Sequence, residues 1–431
     1  MKRRDILRTV VGGALSRLIV PEVSNAAPAP LPWPQEDGNL KITSVRLVEV
    51  RPKRPIPNYT PDPNSWIVRV RAGKEEIASP VSVYPKYKPS RSLFGPDDAS
   101  LGRVYVEIGT NQGVTGLAPT GPGGGPIIQG HLAKLLLGEN PLNIERLWDI
   151  MWRATMSYGR KGAVLHGISG IDLALWDLAG KVWRLPVYRL LGGETKARIP
   201  AYCTGNDIEQ HAEFGYTKMK LALPYGPVDG AEGIRKNVAL VKRAREAVGR
   251  DGEVMVDCWM SLTERYTLEL AEAFEPYRVY WLEECLPPDD YEGMGRLRKL
   301  IRSTRLVTGE HEYTRYGFRQ LLEHDAAEIW QPDVHWCGGL TEIRRIGALA
   351  AAYDIPIIPH SGGQRDAVHY VMATPNAPWA EFSNGGMPAP GGPAVVYQRY
   401  EEDNLLSRGP EGIYTRPSEE PGFGWGLEVV G

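Results

Sequence analysis

The chain has 431 residues and a mass of 47.8 kDa, more than one ordinary hydrophobic core fills, so two domains, or one barrel with an added domain, are expected. Apolar residues make up 42% and charged residues 24%, which excludes a disordered or fibrous chain. Lysine plus arginine number 50 against 52 acidic residues, a formal net charge of -2; long-range attraction to nucleic acid or to an anionic membrane is thereby excluded, and a partner must be recognised locally.

Residues 1–32 differ from the rest. Lys2, Arg3 and Arg4 precede an apolar stretch from Ile6 to Val20, followed by Ser24-Asn25-Ala26-Ala27 and a proline-rich run. This is the order of an export signal, and Arg3-Arg4-Asp5-Ile6-Leu7 resembles the twin-arginine kind. The stretch is too short and, with Arg17, too interrupted to span a bilayer. A periplasmic or exported location is expected, and a cytoplasmic one if the signal does not function. The four cysteines, Cys203, Cys258, Cys285 and Cys337, form no short-spaced pair and are expected as buried free thiols.

Residues 40–190 read as an α+β capping domain. Ile42 to Val50 and Val104 to Ile108 carry strand patterning, and residues 53–102, rich in proline, read as a long functional loop. Helical periodicity follows over His131 to Leu137, Ile144 to Met156 and Ile168 to Val182. Gly121-Pro122-Gly123-Gly124-Gly125 superficially suggests a phosphate loop, but no Lys-Ser or Lys-Thr follows it, and it reads as a flexible cap loop.

From 197 to 384 the pattern becomes short apolar strand, polar turn, helix. Candidate strands end near Cys203, Lys220, Asp257, Glu283, Glu310, Asp333, His360 and Glu381. The steps from Asp257 onward are 26, 27, 23, 27 and 21 residues, the rhythm of a closed β/α barrel rather than an open doubly wound sheet. Residues 385–431 are expected to return to the cap.

The last six of those strand ends, Asp257 to Glu381, each carry an ionisable group, and barrel closure brings the carboxyl ends of distant strands into one cavity. Asp257, Glu283 and Glu310 come from adjacent strands. Three carboxylates held close together repel unless a cation neutralises them, and all-oxygen ligation selects Mg2+ (or Mn2+) over zinc. Glu284 is turned to the other face of its strand by the pleat, so Glu283 is the ligand. Asp333 and His360 end the next two strands, where a carboxylate on one imidazole nitrogen makes the other a general base. Lys218 or Lys220 can face the same cavity from the opposite side. Glu381 completes the ring and, if protonated, can donate a hydrogen bond to developing negative charge. His311 and His335 flank catalytic strand ends, where each can touch substrate or serve as an ordinary polar residue behind the site. The set suits removal of a proton alpha to a carboxylate.

With these residues in view, the chain resembles the enolase superfamily, mandelate racemase subgroup, and within it the acid-sugar dehydratases. The matching stretches include Asp172-Leu173-Ala174-Leu175-Trp176-Asp177, Asp257-Cys258-Trp259-Met260-Ser261, Glu283-Glu284-Cys285-Leu286-Pro287-Pro288, Gln331-Pro332-Asp333-Val334 and Trp336-Cys337-Gly338-Gly339-Leu340. The resemblance implies a modified TIM barrel, (β/α)7β, capped by an α+β domain built from the N-terminal region and the C-terminal tail. It further implies one Mg2+ per subunit on Asp257, Glu283 and Glu310, and His360, oriented by Asp333, as the base that also protonates the departing 3-hydroxyl. Glu381 would assist the enediolate and Arg91 would bind substrate, with L-rhamnonate or a close hexonate or pentonate as first expectation. A homo-oligomer with an even number of subunits is implied. Lys218-Met219-Lys220 recreates the Lys-x-Lys motif of other subgroup members, which use the second Lys as a base. A racemase or epimerase working with Lys220 and His360 therefore stays open, as does a catalytically silent sugar-acid binding protein.

Overall fold

The computed structural model describes residues 39–54, 64–88, 102–383, 405–409 and 411–430. The expected export signal and Arg91 lie outside the described residues. Among the described residues no helix is long and apolar enough to cross a membrane.

The cap carries an antiparallel sheet of β1 (Ile42–Pro52), β2 (Tyr105–Thr110) and β3 (Thr115–Pro119), joined at the β1 edge by the C-terminal β13 (Leu427–Val430). Beside it, the helix Ile144–Thr155 buries Ile144, Leu147, Trp148, Met151, Trp152 and Thr155, the one-faced spacing of an amphipathic helix. The next helix, Ala163–Trp183, begins five residues before the apolar run that announces it and is buried from Val164 to Gly180. Burial on all sides demands that its polar groups be paired. Asp177 accepts from the amides of Leu117 and Phe423, each at 2.9 Å. Asp172 accepts from the Thr341 amide at 2.9 Å and from its hydroxyl at 2.5 Å. The helix therefore fastens the cap sheet and the C-terminal tail on one side and the barrel on the other.

The barrel strands are β4 (Ile199–Thr204), β5 (Lys218–Ala222), β6 (Glu253–Asp257), β7 (Trp281–Glu283), β8 (Arg305–Thr308), β9 (Ile329–Trp330) and β10 (Ala380–Ser383). They pair in parallel in the order β10-β4-β5-β6-β7-β8-β9. A parallel bridge from Trp330 to Ile357 adds an eighth position, and the Gly363 amide donates to the Glu381 carbonyl at 2.8 Å across the seam. Inward-facing residues alternate along each strand. Tyr202, Met255, Trp281, Val307, Ile329 and Ile358 form a buried apolar layer, and two residues further along β4, β6 and β7 stand Thr204, Asp257 and Glu283. An apolar floor therefore lies beneath an ionisable layer, and β6 pairs with β7 so that Asp257 and Glu283 are directly opposite.

Three expectations need correction. The 53–102 segment is not wholly loop, since Trp66–Arg71 is helical; at six residues it is too short to show a period. The C-terminal stretch does not return to the cap throughout: β11 (Leu406–Gly409) and β12 (Gly412–Thr415) pair with each other, and β12 adds antiparallel to β4. Finally, the glycine-rich 121–125 segment packs on the long cap helix, with the Pro122 carbonyl 2.7 Å from His166 Nδ1.

Candidate active site

A cavity of about 430 Å³ opens between the ionisable layer and the cap. Asp257 and Glu283 are the last residues of β6 and β7. Glu310 lies two residues past the end of β8, reached through Gly309 at φ +130°, a turn in which a side chain would also strike the Gln331 amide. The three carboxylates offer ligand atoms that all lie within 4.8 Å of one another. Glu283 is fully enclosed and accepts from Trp281 Nε1 at 3.1 Å, Gln331 Nε2 at 2.8 Å and Lys220 Nζ at 2.6 Å.

Burial pushes Asp257 up to about 7, Glu283 to about 8 and Glu310 to about 7, with repulsion from neighbouring carboxylates adding to the rise in each. Such a set is short of positive charge, and hard oxygen donors in this geometry fit a divalent cation such as Mg2+. Glu284, Glu310 and His311 form a second group within the same distance. In that group both Glu284 oxygens are already taken, by the His311 amide at 3.0 Å and by His311 Nδ1 at 2.7 Å. Glu284 thus anchors His311, which lines the cavity. Burial opposes a charge on His311, but Glu284 and Glu310 outweigh it and raise the imidazole to about 9.

Asp333 and His360 also lie just past strand ends, and Nδ1 of His360 sits 2.7 Å from Asp333 Oδ2. The other ring nitrogen faces the cavity, 3.4 Å from Glu310 Oε1. Burial disfavours the imidazolium, yet Glu310 and the Asp333 hydrogen bond raise His360 to about 10. Burial would likewise raise Asp333, but His335 and His360 hold its carboxyl far below the usual range. Non-glycine residues at positive φ cluster in these loops, at Trp259, Met260, Glu284 and Ser361, the kind of backbone strain that collects at functional sites.

Several candidate residues occupy places other than those expected. Lys218 points inward one layer too low: its ammonium packs over the Trp379 ring, 5.7 Å from the centroid, and it does not line the cavity. Lys220 stands in mid-strand with 1% of its side chain exposed, 2.6 Å from Glu283, 2.9 Å from Glu381 and 3.9 Å from Asp257. Burial opposes its charge, but these carboxylates overcome that and raise its pKa well above the ordinary value, which favours its ammonium form. The surroundings of Glu381 favour its carboxylate over the protonated form. Although burial works against ionisation, the Lys220 ammonium, His360 and the Thr204 hydroxyl bring it down to about 2, and the Ser361 amide donates to its other oxygen at 2.7 Å. His335 is enclosed behind Asp333 and does not reach the cavity.

Sequence reasoning missed the cap wall. Trp66, Ile67 and Ile77 close the cavity, the first two from the short helix Trp66–Arg71. Trp336 also lines it, its ring 5.4 Å from that of His360. His166 and Tyr313 contribute from cap and barrel, linked at 3.2 Å. The Asp-Val-His-Trp run beside the base was the one available signal for Trp336.

Comparison with known proteins agrees with this geometry. Residues 205–429 match the enolase C-terminal domain-like family, and residues 95–192 match the mandelate racemase / muconate lactonizing enzyme N-terminal domain. An L-rhamnonate dehydratase of Saccharopolyspora erythraea is 42% identical over 353 residues, covering 81% of this chain and 89% of that protein. The crystal structure of rhamnonate dehydratase from Gibberella zeae complexed with Mg superposes with a TM-score of 0.76 at 39% identity, covering 90% of this chain and 94% of that one. A 3,6-anhydro-D-galactonate cycloisomerase from Zobellia galactanivorans is more distant, with a TM-score of 0.64 at 30% identity over 76% of this chain and 91% of that one. The chain belongs to the enolase superfamily, in its mandelate racemase / muconate lactonizing enzyme branch.

Proposed function

We propose that the chain is a Mg2+-dependent hydro-lyase that dehydrates an acid sugar, L-rhamnonate or a close hexonate or pentonate, to the 2-keto-3-deoxy acid. The observation that carries this reading is the His360–Asp333 pair at 2.7 Å, with its free nitrogen aimed into a cavity floored by three convergent carboxylates. The likeness to rhamnonate dehydratases supports the substrate class.

Asp257, Glu283 and Glu310 would hold the cation, which supplies positive charge to the substrate carboxylate and to the enediolate made from it. With Glu310, the carboxylate that most raises His360, given over to the cation, the imidazole would rest neutral; its Nε2 removes the C2 proton, and Asp333 stabilises the imidazolium that results. The electron pair released at C2 forms the C2–C3 double bond as the C3–O bond breaks. His360 returns its proton to the departing hydroxyl, which leaves as water, and the enol becomes the 2-ketone. Lys220 keeps positive charge at the floor, paired to Glu283 and Glu381, and His311 presents a held imidazolium to the oxygens of the substrate. The cap wall of Trp66, Ile67 and Ile77 excludes water from the carbon chain.

A racemase or epimerase needs a second base, and the opposing candidate among the described residues, Lys220, is engaged by carboxylates; a silent binding protein would have no use for the dyad. The amino-terminal signal makes export part of the proposal, tested by fractionation. The chemical test is incubation of the Mg2+-loaded enzyme with L-rhamnonate and detection of the keto product with semicarbazide. His360→Asn is expected to abolish turnover while leaving Mg2+ affinity nearly intact. Turnover unchanged in that variant, or hydrogen exchange at C2 in D2O with no loss of water, sinks the mechanism.

A further inference from the structure

The base does not end at Asp333. Asp333 Oδ1, the oxygen turned away from His360, accepts from the His335 backbone amide at 2.6 Å and lies 3.0 Å from His335 Nδ1. The far side of the same ring, Nε2, is 2.7 Å from Asp366 Oδ2, and Asp366 Oδ1 accepts from the Ala367 amide at 2.8 Å. Asp333, His335 and Asp366 are all buried. A carboxylate can only accept, so a neutral imidazole between two of them would turn a lone pair toward one. The doubly protonated ring satisfies both. The cation of Arg103 opposes this, with Nη2 at 3.2 Å from His335 Nε2, but that guanidinium also donates to Gln364 Oε1 at 2.8 Å. Burial, the largest influence, disfavours the charge, but Asp366 and Asp333 together outweigh burial and Arg103, so the ring is raised above its ordinary value.

We propose that His335, held between Asp333 and Asp366, is a positioning residue for the base: its two N–H groups lock the Asp333 carboxylate so that Oδ2 alone faces His360. This rests on the reading of His360 as the base. Losing a partner at this remove from the chemistry costs about tenfold to a hundredfold in activity. The lock also has a route to the cap. Arg103 lies just before β2, and Gln364 and Asp366 lie just after His360, so the segment that carries the base is tied to the domain that covers it.

The test uses Mg2+-loaded full-length enzyme and L-rhamnonate carrying hydrogen or deuterium at C2. His335→Leu is expected to lower kcat about tenfold to a hundredfold with KM within about threefold. The C2 deuterium isotope effect on kcat should rise, because a misaligned base makes proton removal limiting. His335→Asn, whose amide nitrogen takes the place of Nδ1, is expected to recover most of the loss. A structural defect would lower the amount of active enzyme without moving the isotope effect. The inference is overturned by a His335→Leu enzyme with unchanged kcat and isotope effect, by a loss of kcat without a larger isotope effect, or by no recovery in His335→Asn. Should His335→Leu fail to fold, Asp366→Asn must show the same rise in isotope effect, and its absence overturns the inference. Independently of substrate, nitrogen-15 NMR of histidine-labelled enzyme should show both His335 nitrogens protonated at neutral pH, assigned by their loss in His335→Asn; a single protonated nitrogen also overturns it. Activity surviving in His360→Asn would instead fault the base assignment itself.

Discussion

Metal removal should make stability fall with pH in a window that the site itself defines. At 4.8 Å, the limit within which the ligand atoms of Asp257, Glu283 and Glu310 all lie, two carboxylates repel by about 3.5 kcal/mol at an effective dielectric near 20. Lys220, 2.6 Å from Glu283 and 3.9 Å from Asp257, offsets part of this. Without a cation, burial and crowding bring the three groups to about 7, about 8 and about 7, against values near 4 in the unfolded chain. Between those limits the folded state binds more protons than the unfolded one, so the stability that protonation supplies is lost as pH rises through about 7 to about 8. His311 at about 9 and His360 at about 10 are raised above 6.5 and act with the same sign over the window. His369, lowered by burial to about 3, has the opposite sign but acts only below 6.5. From pH 6.5 to 8, a difference of one bound proton costs about 2 kcal/mol. A cation that binds only the ionised set restores RT ln(1 + [Mg2+]/Kd), about 2.7 kcal/mol at a hundredfold excess over Kd. Melting curves of EDTA-treated enzyme should shift down by several degrees across this range, whereas curves with saturating MgCl2 stay nearly level, so the gap widens with pH. Titration calorimetry in two buffers should show protons released on Mg2+ binding. A metal-free melting temperature that holds or rises, with a constant gap, refutes the reasoning.

Lys220→Met removes the ammonium shared by Glu283 and Glu381, and leaving buried charge unpaired costs about 3–5 kcal/mol; the metal-free melting temperature should fall much more than the Mg2+-loaded one. Gly339→Ala places a methyl 2.4 Å from Asp172 Oδ2 at φ +85°, and urea unfolding should show a loss of about 1–3 kcal/mol as the joint between cap helix and barrel opens. Ile77→Ala trims the apolar cap wall, so steady-state kinetics should show KM raised several-fold with kcat within about twofold, the pattern of lost uniform binding.

The three convergent carboxylates and the Asp333–His360 pair were legible because each follows an apolar strand at the step that a barrel repeats. Asp257 and Glu283 are true strand termini, whereas Glu310, Asp333 and His360 lie a few residues beyond, in loops whose positive-φ positions no periodicity reveals. The pleat set Glu283 apart from Glu284 because alternation is a local property, and Glu283 is the one that groups with Asp257 and Glu310. What Glu284 does instead was not local: it grips His311 from the neighbouring strand unit. The cap wall was hidden for a related reason. Trp66 and Ile77 join Val70 and Ala222 in a small cluster whose members come from cap and barrel, so no single window of sequence carries its pattern.

Lys218 and Lys220 show most clearly why position in the barrel decides the role of a residue type. Both face inward on β5, one period apart, and nothing local distinguishes them. Lys218 falls in the aromatic floor and lies over Trp379; Lys220 falls in the carboxylate layer and becomes its counter-ion. Even so, that layer is not neutral. Asp257, Glu283, Glu284, Glu310, Asp333, Asp366 and Glu381 each bring a negative charge, against Lys220, Arg103 and three imidazoliums, His311, His335 and His360. The carboxylates outnumber the cations, and a divalent cation would supply positive charge where they are least compensated. Protons are the only alternative source for the metal-free chain, and they settle on the groups least compensated by fixed cations. The raised values of Asp257, Glu283 and Glu310 are that shortfall expressed as acidity, whereas Glu381, Asp333 and Asp366, each beside a built-in cation, are drawn down. The division between ligands and dyad is therefore already drawn by the protein's own charges before any metal arrives.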